Sequence, residues 1–275
     1  MKKILVALFL FASITSVAQD PNFHIYLCFG QSNMQGSAPI EAVDSIPVER
    51  FLTMAPNDFK DKSRELGKWY PAIPPLSHNQ AALSPADYFG RNMVANLPDS
   101  ITIGVINVAV SGCDIRLFDK EIYIPYMQTY PQDWFQNLVN ALGGCPYGRM
   151  VHLCKMAQRE GVIKGFLLHQ GETNTGDKEW PNYVKSVYDD LLADLGLNAE
   201  DVPLLAGEVV HENLNGKCSK MNPIIRTLPE TIPTAHVISS EGCSTQDDLV
   251  HFDSEGVREL GKHYAEKMLL LNYKK

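Results

Sequence analysis

What this 275-residue chain lacks narrows its identity first. Beyond residue 18 no apolar run approaches the ~20 residues that a membrane-spanning helix needs. Basic residues are in the minority, 24 Lys and Arg against 32 Asp and Glu, for a formal net charge of −8. Such a chain has no basic footprint for nucleic acid. Neither a Walker A loop nor a GxGxxG run occurs, so nucleotide binding has no support. The cysteines show no CxxC spacing and the histidines no His-x-His, so no zinc pattern is present and no metal is assigned. A G-x-S-x-G elbow is also missing. No internal repeat, low-complexity tract or linker divides the sequence, and a hydrophobic share of 45% is ample for the core of one large domain.

The first stretch reads as a leader. Lys2 and Lys3 precede an apolar run from Ile4 to Ala12, and Ser16-Val17-Ala18 follows. That charged, apolar, small-residue layout predicts a secretory signal peptide over residues 1–18, cleaved after Ala18. The mature chain, 19–275, is then exported, to periplasm or medium, with no membrane anchor. Six cysteines in an exported protein admit disulfides. Cys28, in an apolar strand, and Cys154, in an apolar helical stripe, read as buried thiols. Cys218 and Cys243 sit in polar, turn-rich segments and are the expected pair.

The run Tyr26-Leu27-Cys28-Phe29-Gly30-Gln31-Ser32-Asn33-Met34 organises the chain. Strand-forming residues stop at Gly30, and small polar residues follow at once. This predicts a buried strand ending in a tight turn, with Ser32 just past its carboxyl end, where open α/β sheets hold ligands. Taken alone, Ser32 is equally a turn or cap residue. A serine nucleophile needs a base, and the base needs an orienting group. Asp248 and His251, three residues apart near the end of the chain, supply that pair.

With these blocks in view the sequence resembles the SGNH (GDSL-like) hydrolases, and within them the carbohydrate-esterase branch of acetylxylan esterases and sialate O-acetylesterases. Gly30-Gln31-Ser32-Asn33-Met34 resembles the branch's first block and Asn107 to Gly112 its second. His169-Gln170-Gly171-Glu172-Thr173-Asn174 resembles the third, and Asp248 to His251 the last. The resemblance spans residues 24–268. It implies a secreted esterase that deacetylates O-acetylated polysaccharide or oligosaccharide, with Ser32 as nucleophile, His251 as base and Asp248 as its orienting acid. Acetylated sialic acid is the alternative substrate, and a non-catalytic carbohydrate-binding protein the alternative of another class. The Ser32 and Gly112 amides with the Gln170 side chain form the expected oxyanion hole; the wider superfamily usually has Asn at that position, and Gln is what the carbohydrate-esterase branch shows. Gln31, Asn33 and Glu172 belong to a supporting shell, Glu172 as helper acid or structural bridge. No cofactor is implied, since water completes the cycle.

The rest of the chain alternates between the two periodicities. Between Ser37 and Ser84 six prolines punctuate a long loop in which only Arg50 to Met54 reads as a strand. Trp69 and Tyr70 there either offer flat faces to sugar or pin the loop to the body. Ser84-Pro85 opens a helix ending near Pro98. Ile101–Val110, Val162–His169, Pro203–Val209 and Ala235–Ile238 read as strands, while Trp134–Leu142, Tyr147–Glu160, the stripe from Tyr183 to Leu195 and Ser254–Leu271 read as helices. The alternation predicts a three-layer α/β/α sandwich with a mostly parallel sheet, flavodoxin-like as in the resembled family. His169 and Asn174 lie close enough in sequence to reach substrate, or to be satisfied core and turn residues.

Overall fold

A computed structural model of the chain describes residues 19–273; the expected leader at 1–18 lies outside them. The apolar run after Asn22 is strand β1 (Phe23–Gly30), buried at all eight positions. An uninterrupted hydrophobic run suits a central strand covered on both faces. β1 pairs in parallel with β4 (Thr102–Ala109) on one side and β5 (Val162–His169) on the other. Beyond β5 come β6 (Leu204–Gly207) and β7 (Ala235–Ile238), also parallel. Beyond β4 lie β2 (Phe51–Met54) and an antiparallel edge strand, β3 (Trp69–Pro71), giving the order β3-β2-β4-β1-β5-β6-β7. Without the two strands drawn from the long loop, β4-β1-β5-β6-β7 follows the flavodoxin-like order 2-1-3-4-5.

Alternate side chains of β1 enter two different cores. Ile25, Leu27 and Phe29 pack with the helices Asp133–Ala141, Pro146–Ala157 and Trp180–Leu195. Tyr26 and Cys28 pack with Pro85–Asn96 and Ser254–Asn272. The result is the expected three-layer sandwich. Ser84 caps the first of these helices, its Oγ accepting from the Ala86 amide at 3.2 Å ahead of Pro85.

Two expectations fail here. Cys218 and Cys243 do not form a disulfide, and all six cysteines are free thiols. Cys218 packs against the first core and Cys243 is buried in the second, so the sheet separates them. Their polar sequence neighbourhoods gave no hint of this. Trp69 is no sugar platform. Its indole lies on Gly104 and meets the Phe23 ring edge to face, with centroids 4.8 Å apart. A Cβ on Gly104 would come within 2.8 Å of that indole, so the ring occupies the space that a side chain on β4 would need. Phe23 begins β1, whereas Ser32 follows its other end. Trp69 therefore pins the long loop to the body.

Trp69→Ala is expected to cost about 3 kcal/mol of stability, because the packing lost against Phe23 and Gly104 outweighs the relief of deleting an indole N–H that has no partner. Urea unfolding measures this, and an unchanged midpoint would mean that the ring is dispensable to the fold.

Candidate functional site

The register of the sheet puts the chemistry on one edge. Gly30 lies opposite both Ala109 and His169. Ser32, Gly112 and Gln170 therefore follow the carboxyl ends of three adjacent strands, where sheet ligands bind. Gly30 has φ +142°, and a Cβ there would stand 2.0 Å from the carbonyl oxygen of His169. Only glycine permits this close crossing, which delivers Ser32 to the first position of a single helical turn, Ser32–Gln35.

The last block returns to the same edge across 219 residues. His251 Nε2 lies 2.8 Å from Ser32 Oγ, and His251 Nδ1 lies 2.6 Å from Asp248 Oδ2. The carboxylate can only accept from Nδ1, which leaves Nε2 with a lone pair facing the serine hydroxyl. Asp248 Oδ1 also accepts the amides of Val250 and His251, each at 2.9 Å. The turn that permits this holds Leu249 at φ +59°, a left-handed conformation that side chains disfavour. Partial burial tends to raise the Asp248 pKa, but the amide and imidazole of His251 and the amide of Val250 outweigh it and hold the carboxyl down to about 2. Asp247 takes no part in this chain of hydrogen bonds.

Asn33 joins the first block to the last. Its Nδ2 donates to Glu172 Oε1 at 2.6 Å and to the Val250 carbonyl at 3.1 Å, and its Oδ1 accepts from the Phe252 amide at 3.2 Å. The side chain thus grips the backbone on both sides of His251. Glu172 makes no hydrogen bond to His251 and touches that loop only through Asn33, as a bridge. His169 is fully buried. Its Nε2 donates to the Glu208 carbonyl at 3.0 Å, and burial lowers its pKa, so the ring is neutral and out of reach of substrate.

Gln170 does not hold its amide ready for a ligand. Nε2 donates to Asn174 Oδ1 at 2.7 Å, with the Cys113 carbonyl and Gln31 Oε1 each at 3.1 Å, and Oε1 accepts from Trp180 Nε1. Trp180 can only donate and the Cys113 carbonyl can only accept, so this orientation is fixed. Asn174 is likewise committed, receiving the Ile115 amide at 3.0 Å and donating to Asp114 Oδ2 at 2.9 Å. Both belong to a buried network under the site.

Three of the donors left free at this edge bear on the chemistry. The amides of Ser32 and Gly112 meet no acceptor among the described residues. Gln31 turns Oε1 to the amides of Gly171 (3.4 Å) and Thr173 (3.3 Å), and its Nε2 is left without a partner but not sealed from solvent.

One residue that was read only as the start of a helix belongs here. Trp134 is 49% exposed, and a Cβ on Gly112 would sit 3.0 Å from its ring. The sequence signal was an aromatic cluster, Tyr130, Trp134 and Phe135, but its proximity to Gly112 is a tertiary fact. Beside Trp134 and Ser111 opens a cavity of about 800 Å³. Among the described residues no three His, Cys, Asp or Glu side chains come together to hold a metal ion, and no helix is long and apolar enough to cross a membrane.

Comparison with known proteins agrees with this architecture. The profile of a family described as carbohydrate esterase, sialic acid-specific acetylesterase, matches residues 22–270. A solved protein from Arabidopsis thaliana is similar at 20% identity and TM-score 0.70, over 91% of this chain and 99% of its own. NanS is similar at 14% identity and TM-score 0.64, over 91% and 98%. A carbohydrate acetylesterase from Xanthomonas citri is similar at 15% identity and TM-score 0.61, over 91% of this chain and 57% of its own. At such identities these likenesses bear on fold alone.

The Asp248 carboxyl, held at about 2, lies below the ~3.9 of an unfolded aspartate. Its charge therefore stabilises the fold above the unfolded value, and that contribution is lost as pH falls through about 2. The stability gap between the protein and Asp248→Asn, read from urea midpoints, should hold steady above pH ~4 and narrow below it. A gap that does not change between pH 5 and the acid limit would mean an ordinary carboxyl.

Proposed function

Since the chain belongs to the sialic acid-specific acetylesterase family of carbohydrate esterases, we propose that it deacetylates O-acetylated carbohydrate through an acyl-enzyme on Ser32. The observation that carries this reading is the continuous hydrogen-bond chain from Ser32 Oγ through His251 to Asp248. Ser32 Oγ attacks the acetyl carbonyl carbon while His251 Nε2 takes its proton. The imidazolium that forms is stabilised by Asp248, which also fixes the tautomer that makes Nε2 the base. Collapse of the tetrahedral adduct breaks the bond to the sugar oxygen, and His251 returns the proton to it. Water then attacks the acetyl-serine with His251 again as base, releasing acetate and restoring Ser32. No cofactor enters the cycle.

The developing oxyanion takes hydrogen bonds from the Ser32 and Gly112 amides, and Gln31 Nε2 is the third donor in place of the committed Gln170. Positive φ at Gly112 (+71°) suits a residue whose amide must face the substrate. Acetylated polysaccharide of the xylan type and acetylated sialic acid are the two substrate readings, the second favoured by the family's description. Residues 1–18 support export, and amino-terminal sequencing of the secreted protein tests it.

Ser32→Ala should lower kcat toward p-nitrophenyl acetate by ~10⁴-fold or more with the fold intact by circular dichroism. A folded variant that retains turnover would end the acyl-enzyme reading, and a wild type without turnover would favour a binding protein. Asp248→Asn should cost ~10³–10⁴ and Asp247→Asn little.

The two glutamines should separate. Gln31→Ala should reduce kcat by ~10² with a small change in KM. Gln170→Ala should act mainly on Tm, because it strands Trp180 Nε1 and Asn174. If Gln170→Ala kept its Tm and lost kcat alone, the third donor would be Gln170.

A further inference from the structure

The chemistry at Ser32 leaves unused the cavity of about 800 Å³ beside Ser111, one residue from Gly112. Its walls come from four places: the loop after β2 (Asn57, Asp58), the loop carrying His78, the end of β4 with Ser111, and the helix Asp133–Ala141 with Trp134 and Asn137. The Trp134 ring is held from behind by edge contacts with Tyr130, at 6.2 Å, and Phe135, at 5.6 Å. It is thus a fixed aromatic surface, half exposed, at the junction of the cavity and the oxyanion site.

The polar lining carries no positive side chain. Asn57, Asn137 and Gln80 offer amides, while the Ser77 hydroxyl donates to the Gln35 carbonyl at 2.6 Å. His78 accepts the Gln80 amide on Nδ1 at 3.1 Å, and burial lowers its pKa, which makes it a neutral ring. Asp58 is the acidic group, and no Lys or Arg lines the cavity. Arg149, which feels the charge of Asp58, donates Nε to the Leu142 carbonyl at 3.1 Å and is not part of the lining.

We infer that this cavity holds a neutral sugar unit of the substrate, one face stacked on Trp134, and that it excludes the carboxylate of a sialic acid. The inference rests on deacetylation at Ser32 and adds the substrate class. A pyranose presents a face of C–H groups to an aromatic ring and a rim of hydroxyls to amides and a carboxylate. A sialic acid would bring a second carboxylate beside Asp58, with no cation in the lining to receive it. Discrimination here comes from what the cavity lacks as much as from what it offers.

The test compares three esters: acetylated xylo-oligosaccharide, O-acetylated sialic acid and p-nitrophenyl acetate. The wild type should favour the xylo-oligosaccharide over the sialic acid in kcat/KM. In Trp134→Ala the preference for xylo-oligosaccharide over p-nitrophenyl acetate should fall ~10-fold, mainly through KM. Because Trp134 also touches Gly112, two further variants avoid that contact. Asn137→Ala should shift the same ratio in the same direction, and Asp58→Lys should raise relative turnover of the acetylated sialic acid. Titrating Ser32→Ala with the xylo-oligosaccharide should saturably change tryptophan emission, and Trp134→Phe should abolish the change; Trp180 is buried and reports no surface ligand. An emission that never responds, with the substrate ratio unmoved in Trp134→Ala, overturns the subsite. A wild type that prefers the sialic acid overturns the substrate class. Neither outcome depends on whether Ser32→Ala loses p-nitrophenyl acetate hydrolysis, which tests the chemistry alone.

Discussion

The side-chain amide of Asn33 is the contact on which the site depends. It stands one residue after Ser32, and both of its atoms are spent on the segment that carries His251, more than two hundred residues away. The gap between serine and imidazole is therefore set by one short link, from the Ser32 turn through Asn33 to the backbone of Val250 and Phe252. Glu172 fixes which way that amide faces, because its carboxylate can accept only from Nδ2. Ion pairs on the surface of this protein are worth little by comparison. The Asn33 contacts are buried and bring together three blocks that the sheet delivers separately, from the ends of β1 and β5 and from the loop before the last helix.

A second constraint is satisfaction of polar groups at the carboxyl edge. Asp114 pairs with Arg116 and Asn174, Asn174 with Gln170, and Gln170 with Trp180 and Gln31. Buried donors almost always find partners, and here nearly every one does. That makes the exceptions informative. The amides of Ser32 and Gly112 and the Nε2 of Gln31 are among the donors that the network leaves over, and they belong to residues around the nucleophile. An anion-stabilising site can be a surplus of donors within an otherwise balanced network.

This distinction explains what was legible in the sequence. Strands β1, β4 and β5 showed as unbroken apolar runs, because central strands are buried on both sides and need no polar face. Ser32, Asp248 and His251 could be picked out because each sits at a strand end or in a short turn, where local spacing places the side chain. Gln170 also stood at the right strand end, but which way an amide turns depends on Trp180, Cys113 and Asn174, and no local pattern encodes that. The roles of Trp69 and Trp134 were hidden for the same reason. Both follow loops of mixed composition, and only the packed fold shows that one covers Gly104 while the other lies open beside Gly112. The cysteines failed similarly, since polar neighbours do not say on which side of a sheet a thiol is buried.

The division between legible and illegible follows the division of labour in the fold. The Ser32–His251–Asp248 chain is held by the end of β1 and by the turn before the last helix. The long proline-punctuated segment and the helix Asp133–Ala141 wall the cavity without contributing to the Ser32–His251–Asp248 chain. These parts can change length and charge while the sheet edge stays as it is. The cavity, with its single aspartate and its tryptophan, is walled mainly by loop and helix, and on the proposed reading its charge is what would separate a neutral sugar from an acidic one.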